Sequence, residues 1–206
     1  MDLKVHYKKN ILIKKLLLIL FSIGILTGCK NKNAEEWIRG IGAPLVLSQN
    51  ESNVNIFTGF KVNQKNKNIS KLELFEVWKI KNKEDADRTI ILILLKNEEQ
   101  EKFKGINNKL GIAWNYTRAI HIIGKSHLAG YYSREEALNK SLEVSKIIQQ
   151  KFSSWEEYIE CYLEDFQYIT NNYEKTELLR ARIIKLKNSL MSPYKVKWNM
   201  ILEKNW

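Results

Sequence analysis

The feature that most restricts the fold of this chain is a pair of helix-capping signals, each followed by an amphipathic run. The segment "SREE", Ser133 to Glu136, is a capping box, because the serine hydroxyl and the glutamate carboxylate can each accept a backbone amide hydrogen of the first turn. The segment "SSWEE", Ser153 to Glu157, contains two overlapping boxes. An apolar stripe of helical spacing continues from it and comprises Trp155, Tyr158, Ile159, Tyr162 and Phe166. The sequence therefore predicts two helices, each buried along one face.

Two further boundary signals extend this helical pattern. Asn82 is a candidate N-cap with Asp85 three residues later, and "SPYK", Ser192 to Lys195, places a proline at the first position of a last short helix. The helix after Asn82 has apolar positions at Ala86, Ile90, Ile93 and Leu94. The helix after "SREE" has them at Ala137, Leu138, Val144, Ile147 and Ile148, and the last helix has them at Trp198, Ile201 and Leu202. We therefore predict an all-α fold, a compact domain of several helices.

Two segments fit this pattern less well. The run "ILILL", Ile91 to Leu95, satisfies the period of a helix and that of a buried strand. The cap at Asn82 and the absence of a turn signal favour the helix, and the strand stays open as the alternative. The stretch from Leu47 to Lys71 is polar, rich in asparagine and weakly periodic. It predicts a loop with a short helix or turn inside it.

The N-terminus carries a targeting signal. A basic leader precedes "LLLILFSIGILTGCK", Leu16 to Lys30, whose uninterrupted apolar part ends at Leu26 and is shorter than the ~20 residues that cross a bilayer. The run closes with Leu-Thr-Gly-Cys at residues 26–29, which resembles the lipobox of bacterial lipoproteins. This resemblance implies cleavage before Cys29, attachment of diacylglycerol to its sulfur and often acylation, for example with palmitate, of its new amino group. The alternative is an ordinary signal peptide or an uncleaved anchor.

This reading divides the chain into a signal peptide at residues 1–28, a lipidated cysteine with a short tether at 29–36, and a single helical domain at 37–206. The domain is long enough to bury a core of its own. Once Cys29 carries lipid, Cys161 has no partner for an internal disulfide, so the core alone must stabilise the fold. We expect the protein outside the cytoplasm, anchored by lipid to the cell membrane or the outer membrane.

The charge of the chain bears on its partners. After the leader, 29 basic and 22 acidic residues remain, a net charge of +7. Beside a bilayer, such an excess attracts anionic lipid, whereas nucleic acid lies on the other side of the membrane. We therefore expect the membrane, with an anionic lipid or an envelope protein, as the partner, and no nucleic acid. The alternative is that the excess is solvated surface, because the chain is rich in lysine, asparagine and isoleucine.

Three motifs resemble a bacterial family known as domain of unknown function 1266 (DUF1266). They lie in "GIAWNYTRAIHIIGKSHLAGYYSREEAL" and "FSSWEEYIECYL", and the resemblance covers about residues 72–206. The matching positions are Trp114, Asn115 and Arg118, then Gly130, Tyr131 and Glu136, then Ser154, Trp155 and Glu156. Asn115 departs from the family, which usually has an acid after the tryptophan, and "YLEDF" lacks a glycine common there. The resemblance implies a compact, mainly helical domain and no established activity.

Candidate site residues are few. Trp114, Arg118 and His121 share one helical face at i, i+4 and i+7, where an arginine beside an aromatic ring could bind phosphate or carboxylate. We favour the alternative, in which Arg118 forms a structural ion pair with Glu136 or Glu156. His121 and His127 are too few for a metal site, which needs three or four ligands. Ser133, Ser153 and Ser154 cap helices, and Cys161 flanks a core stripe. We predict no catalytic residue, metal or cofactor.

No motif in the sequence identifies a reaction. We therefore predict a lipid-anchored, extracytoplasmic module for binding or interaction, and lean against an enzyme. One alternative is a hydrolase beside the membrane that acts on an anionic envelope component with Arg118 as the anion clamp. Another is a protein that holds anionic lipid or wall polymer by charge.

Overall fold

The computed structural model describes residues 33–49, 62–104 and 111–206. Within these ranges the chain forms helices and no strand, so the predicted all-α fold is confirmed. The helices are α1 (Asn33–Ser48), α2 (Gln64–Trp78), α3 (Lys83–Lys104), α4 (Ile112–Ala129), α5 (Arg134–Lys151), α6 (Trp155–Thr170) and α7 (Tyr173–Lys187), followed by a 3-10 turn at Pro193–Lys195. The predicted signal peptide and the lipidation site at Cys29 lie outside the described residues.

Helix α4 is the centre of the domain. It packs against α1, α2, α3, α5 and α6, and it is buried on nearly all sides. A helix with so many neighbours has no solvent face for its polar side chains. Those of His121 and Lys125 are accordingly buried with it and must find partners inside the protein.

The predicted helix starts are confirmed by hydrogen bonds. The side chain of Asn82 accepts the amide of Asp85 at 2.9 Å, and both halves of the capping box between Ser133 and Glu136 are present. The hydroxyl of Ser154 accepts the amide of Glu157 at the start of α6. The run "ILILL" is helical and lies within α3, so the strand alternative is wrong. All five residues of the predicted α6 stripe are buried.

Helix α4 ends at Gly130, whose φ of +81° lies in the left-handed region. Its amide donates to the carbonyl of His127. A side chain at this position would be strained and would crowd Lys67 of α2. The glycine therefore allows the sharp turn that places α5 beside α4.

The C-terminal prediction is confirmed at its start and wrong beyond it. Ser192 caps a single 3-10 turn that begins at Pro193, but the helix does not continue, and residues 201–206 have no regular secondary structure. Trp198 and Leu202 are buried as expected, but Ile201 is 77% exposed. Side chains of other helices hold the backbone at Trp198, because Trp37 donates to its carbonyl at 3.0 Å and Gln149 donates to the same oxygen at 2.6 Å.

Three smaller expectations need correction. Helix α1 begins at Asn33, so residues 33–36, expected as tether, are helical. The stretch from Leu47 to Lys71 was predicted as a loop with a short helix or turn inside it. Residues 64–71 are indeed helical, but they form the first half of the longer α2, and residues 50–61 lie outside the described ranges. Ile147, assigned to the buried face of α5, is 36% exposed. No helix in the described part of the chain combines the length and the apolar content needed to cross a bilayer.

Candidate anion-binding cleft

An open cleft of about 680 Å³ lies beside the middle of α4. Its floor is the face of α4 that carries Trp114, Asn115, Arg118 and His121. The walls come from the ends of α1 and α2, from α3, and from the C-terminal half of α6. The sequence-predicted row of Trp114, Arg118 and His121 is thus brought together at one concave surface.

Arg118 is held in the cleft by an aromatic ring. Its guanidinium carbon lies 4.3 Å from the ring centre of Trp78, the last residue of α2. Such a cation–π contact fixes the flat guanidinium without neutralising it. Burial lowers the pKa of Arg118, because the charged guanidinium is partly removed from water and no described carboxylate compensates its charge.

The predicted ion pair of Arg118 with Glu136 or Glu156 is wrong. Glu136 pairs with Lys83 at the start of α3, and Glu156 pairs with Lys187 of α7 at 2.7 Å. Among the residues whose side chains the structure describes, which do not include Glu98, Glu99 and Glu101 of α3, no carboxylate lies within ion-pair distance of Arg118. Capping-box glutamates attract the lysines that lie near them in space, which sequence spacing does not reveal.

Asn115 is the polar neighbour of Arg118. A guanidinium nitrogen of Arg118 lies 3.5 Å from Oδ1 of Asn115, one turn earlier on α4. The Asn115 amide also donates to Oδ1 of Asn97 on α3 at 2.8 Å, and both asparagines are buried. Because Asn115 stands where the resemblance leads one to expect an acid, Arg118 meets a neutral amide here, and its charge is preserved.

A buried ionic cluster supports one side of the cleft. Lys125 of α4 donates to Oε2 of Glu73 of α2 at 2.5 Å, and Nε2 of His121 lies 3.3 Å from Oε1 of the same carboxylate. Although burial raises the pKa of Glu73, the hydrogen bonds from His121 and Lys125 outweigh it and lower the pKa to about 2. Burial also lowers the pKa of His121, which favours the neutral ring. The charge of Glu73 is therefore balanced within the protein.

Asp165 of α6 occupies the start of α4. Its carboxylate accepts the amide of Gly111 and, at 3.0 Å, the amide of Trp114. Gly111 is the N-cap of α4 and has no side chain to do this. The carboxylate therefore compensates the positive end of the α4 dipole, and this helix start is not open to an external anion.

The remaining wall is apolar. Trp114 packs against Tyr162 and Phe166 of α6, with ring centres 5.5 and 6.2 Å apart. Side chains that line the cleft yet remain largely in solvent are Val77, Tyr168 and Ile169. The cleft thus joins a polar floor to an apolar wall that extends to the surface.

Two cations and two carboxylates line the cleft. Lys96 of α3 lines it as a second cation and, like Arg118, has no carboxylate within ion-pair distance among the residues whose side chains are described. Both lining carboxylates, Glu73 and Asp165, accept hydrogen bonds from internal donors. Such a surface, with one half-buried and one exposed cation beside aromatic rings, can hold an anion attached to an apolar group.

The other sequence-predicted positions do not belong to this cleft. Gly130 and Tyr131 lie in the turn between α4 and α5, Glu136 lies in the first turn of α5, and Ser154, Trp155 and Glu156 begin α6. Trp155 is in the core, where it packs on Trp37 with ring centres 5.1 Å apart. Cys161 is buried on α6. In the described ranges, no group of three or more histidine, cysteine, aspartate and glutamate residues could hold a metal ion.

Sequence reasoning missed the apolar lining residues Val77, Tyr168 and Ile169. It also missed five charged or stacking residues of the site or its support: Glu73, Trp78, Lys96, Lys125 and Asp165. Only Lys125 carried a local signal, because it follows His121 by one helical turn. The other four come from different helices, and their distance from α4 along the chain gives no hint of proximity.

Comparison with known proteins gives one match. The family model described as Protein of unknown function (DUF1266) matches residues 95–199, about half of the chain. The matched segment contains the cleft residues of α3, α4 and α6, whereas Glu73 and Trp78 precede it. No curated protein and no solved structure matches the chain.

Proposed function

The chain belongs to the DUF1266 family, whose function is unknown, and we propose that it is a lipid-anchored binding module whose cleft holds an anionic ligand with an apolar body. The anion contacts Arg118, with Lys96 at the rim. The apolar body packs against Trp114 and the exposed side chains of Tyr168 and Ile169. This module acts outside the cytoplasm, at the membrane that carries its anchor.

The observation that carries the proposal is the isolated guanidinium of Arg118. Arg118 is about half-buried beside a tryptophan, and its polar neighbour is an amide instead of a carboxylate, so no described carboxylate offsets the desolvation of its charge. A ligand carboxylate or phosphate offsets it by accepting two parallel hydrogen bonds from the guanidinium. The aromatic wall beside it favours a ligand that is not a bare inorganic ion.

Binding fits the cleft better than hydrolysis does. His121, its one histidine, has Nε2 hydrogen-bonded to Glu73, while Nδ1 is buried and has no partner among the described residues. A general base needs a nitrogen within reach of the proton that it removes. Neither ring nitrogen meets that requirement, which supports a module without catalysis.

The anchor rests on the sequence. What supports it is the order of basic leader, short apolar run and Leu-Thr-Gly-Cys at residues 26–29. Metabolic labelling with a fatty-acid analogue tests it directly. Label is expected in the wild type and not in Cys29→Ser, whereas equal label in both would contradict lipidation at Cys29.

The ligand class is tested by calorimetric titration of the purified protein in a non-ionic detergent, with protein-free detergent as the blank. The probes are 2-naphthoate, 2-naphthyl phosphate, the uncharged 2-naphthol and inorganic phosphate. We expect both naphthyl anions to bind at least about tenfold more tightly than 2-naphthol and inorganic phosphate, a difference of ~1.4 kcal/mol. Equal affinity for 2-naphthoate and 2-naphthol, or no binding of any probe, would contradict the proposal.

A further inference from the structure

Helix α2 is apolar on two opposite sides. Ser70 and Leu74 are buried toward α4, as the packing of α2 requires. On the opposite side, Ile69, Leu72 and Phe75 follow one another at i, i+3 and i+6 and are 47%, 62% and 38% exposed. We call these three residues the outer stripe. A helix of a monomeric domain normally keeps its outward side polar, so the outer stripe is a surface without a partner in the described protein.

Lysines surround the outer stripe. Lys65, Lys71 and Lys79 are exposed on α2 or at its end, and the ammonium groups of Lys79 and Lys81 lie 5.1 and 5.4 Å from the ring centre of Phe75. The exposed acid among them is Glu76, because Glu73 is turned inward to Lys125. The face therefore carries a local positive charge around an apolar centre.

This combination fits a lipid surface better than a protein surface. Protein interfaces are depleted in lysine at their centre and enriched in arginine and aromatic residues. Helices that lie in the interface of an anionic bilayer combine an apolar stripe with flanking lysines, whose aliphatic stems reach along the acyl chains while their ammonium groups contact phosphates. Each such lysine adds to the attraction of the helix to an anionic surface.

The position of the outer stripe agrees with the anchor. Glu35, in the first turn of α1, forms an ion pair of 2.6 Å with Arg134 at the start of α5. The turn that precedes Arg134 contains Tyr131, and the ammonium of Lys71 lies 5.8 Å from its ring centre. The start of α1 and Lys71 of α2 are thus close to the same turn. Cys29 precedes Asn33 by four residues, which span at most ~14 Å.

We propose that the outer face of α2 is a second membrane contact, in which Ile69, Leu72 and Phe75 enter the headgroup region of an anionic bilayer and the surrounding lysines bind lipid phosphates. This inference rests on the anchor at Cys29 from the proposed function. The anchor brings the domain to the surface, and the face of α2 fixes its orientation there. The ligand cleft lies along a different wall of α2, with Val77 and Trp78, so the two sites are separable by mutation.

The test places a fluorescent probe on the outer stripe of the lipidated protein. In a Cys161→Ser background, Leu72→Cys is labelled with an environment-sensitive dye, and Leu178→Cys on α7, where the native side chain is 52% exposed, is the matched control. Both proteins are reconstituted into vesicles of phosphatidylcholine alone or of phosphatidylcholine with one third phosphatidylglycerol. The lipids carry a nitroxide quencher in the headgroup region, and flotation reports whether the protein is anchored.

We expect flotation in both lipids and, in the anionic vesicles, quenching at position 72 that exceeds quenching at 178 severalfold. The double substitution Lys71→Glu and Lys79→Glu should abolish that excess without affecting flotation, because it reverses two exposed charges far from the core. Flotation with equal quenching at 72 and 178 would overturn the inference while leaving the anchor intact. Protection of position 72 from aqueous iodide without lipid quenching would also overturn it, in favour of a protein partner. Absence of flotation would contradict the anchor and this inference with it.

Discussion

The guanidinium carbon of Arg118 lies 4.3 Å from the ring centre of Trp78, and these two residues come from different helices, α4 and α2. The stacking orients the guanidinium and leaves its hydrogen-bond donors for another partner. A structural arginine would meet a carboxylate here. Arg118 meets the amide of Asn115 instead, at 3.5 Å, and this difference leads to the first prediction.

Asn115→Asp should weaken anion binding in the cleft. The new carboxylate would lie within reach of the Arg118 guanidinium and pair with it, since the two residues are three apart on α4. The amide of Asn97 can turn to donate to the new acid, because its nitrogen has no other partner among the described residues. The affinity for 2-naphthoate should fall at least about tenfold, or ~1.4 kcal/mol by calorimetry.

Asn139→Asp is the control, because it adds the same charge at a distance from the cleft, where Asn139 contacts Trp206. Its affinity for 2-naphthoate should match that of the wild type. Undiminished binding by Asn115→Asp would show that the anion does not depend on a free Arg118.

Stability should decrease in mild acid because of His121. Burial holds the pKa of this histidine below 6.5, so the unfolded chain takes up the proton first as the pH falls. Above the pKa that His121 has in the unfolded chain, this residue does not reduce the free energy of unfolding. Below that pKa, the free energy of unfolding declines. The free energy of unfolding is measured by urea denaturation at several pH values between about 7.5 and 5.5. It should fall with decreasing pH more steeply in the wild type than in His121→Gln, by up to ~1.4 kcal/mol per pH unit. Parallel slopes would contradict a buried, neutral His121.

Asp165 of α6 should stabilise the start of α4. Asp165→Ala removes the carboxylate that accepts two amides of the first turn, and the loss of a helix cap costs about 1 to 2 kcal/mol. Glu164→Ala removes an adjacent, exposed acid and should change the free energy of unfolding by less than about 0.5 kcal/mol. The two variants are compared by chemical denaturation. Similar small effects of the two substitutions would show that other groups accept hydrogen bonds from the first amides of α4.

Trp198 should anchor the C-terminal segment. Its ring packs on Trp37 and Trp155, with ring centres 4.9 and 4.8 Å apart, and its indole nitrogen donates to the carbonyl of Phe152 at 2.8 Å. Trp198→Ala leaves a cavity and should cost about 3 to 5 kcal/mol in chemical denaturation. Ile201→Ala, three residues further on and largely exposed, should cost less than about 0.5 kcal/mol. A small effect of Trp198→Ala would mean that the segment detaches easily from the core.

The local parts of the fold were predictable from the sequence. The capping box of Ser133 and Glu136 and the stripe from Trp155 to Phe166 depend on residues a few positions apart, and both are present in the structure. Helix α2 was obscured because Leu72 and Phe75 face outward, which blurs the apolar period that marks a helix. The sequence analysis also did not delimit α1 and α7.

The predicted C-terminal helix stops after one 3-10 turn because tertiary contacts hold the chain that follows it. Trp198 and Leu202 have the spacing of a helix, but the backbone around Trp198 is held by Trp37 and Gln149 from other helices. Similarly, the row of Trp114, Arg118 and His121 could be read from α4 alone, whereas the identity of the partners could not. Which residue approaches Arg118 depends on how α2 packs against α4, and no local pattern encodes that.

The central claim is that Arg118 binds a ligand instead of supporting the fold, and paired melting and titration of Arg118→Ala test it most directly. The control is Arg182→Ala on α7, a partly buried arginine outside the cleft that donates to the carbonyl of Leu47. Loss of the contact with Trp78 should lower the free energy of unfolding by only about 0.5 to 1 kcal/mol. Binding of 2-naphthoate should be lost in Arg118→Ala and retained in Arg182→Ala. A loss of about 3 to 5 kcal/mol in Arg118→Ala, the value for a broken buried ion pair, together with unchanged 2-naphthoate affinity, would contradict the account.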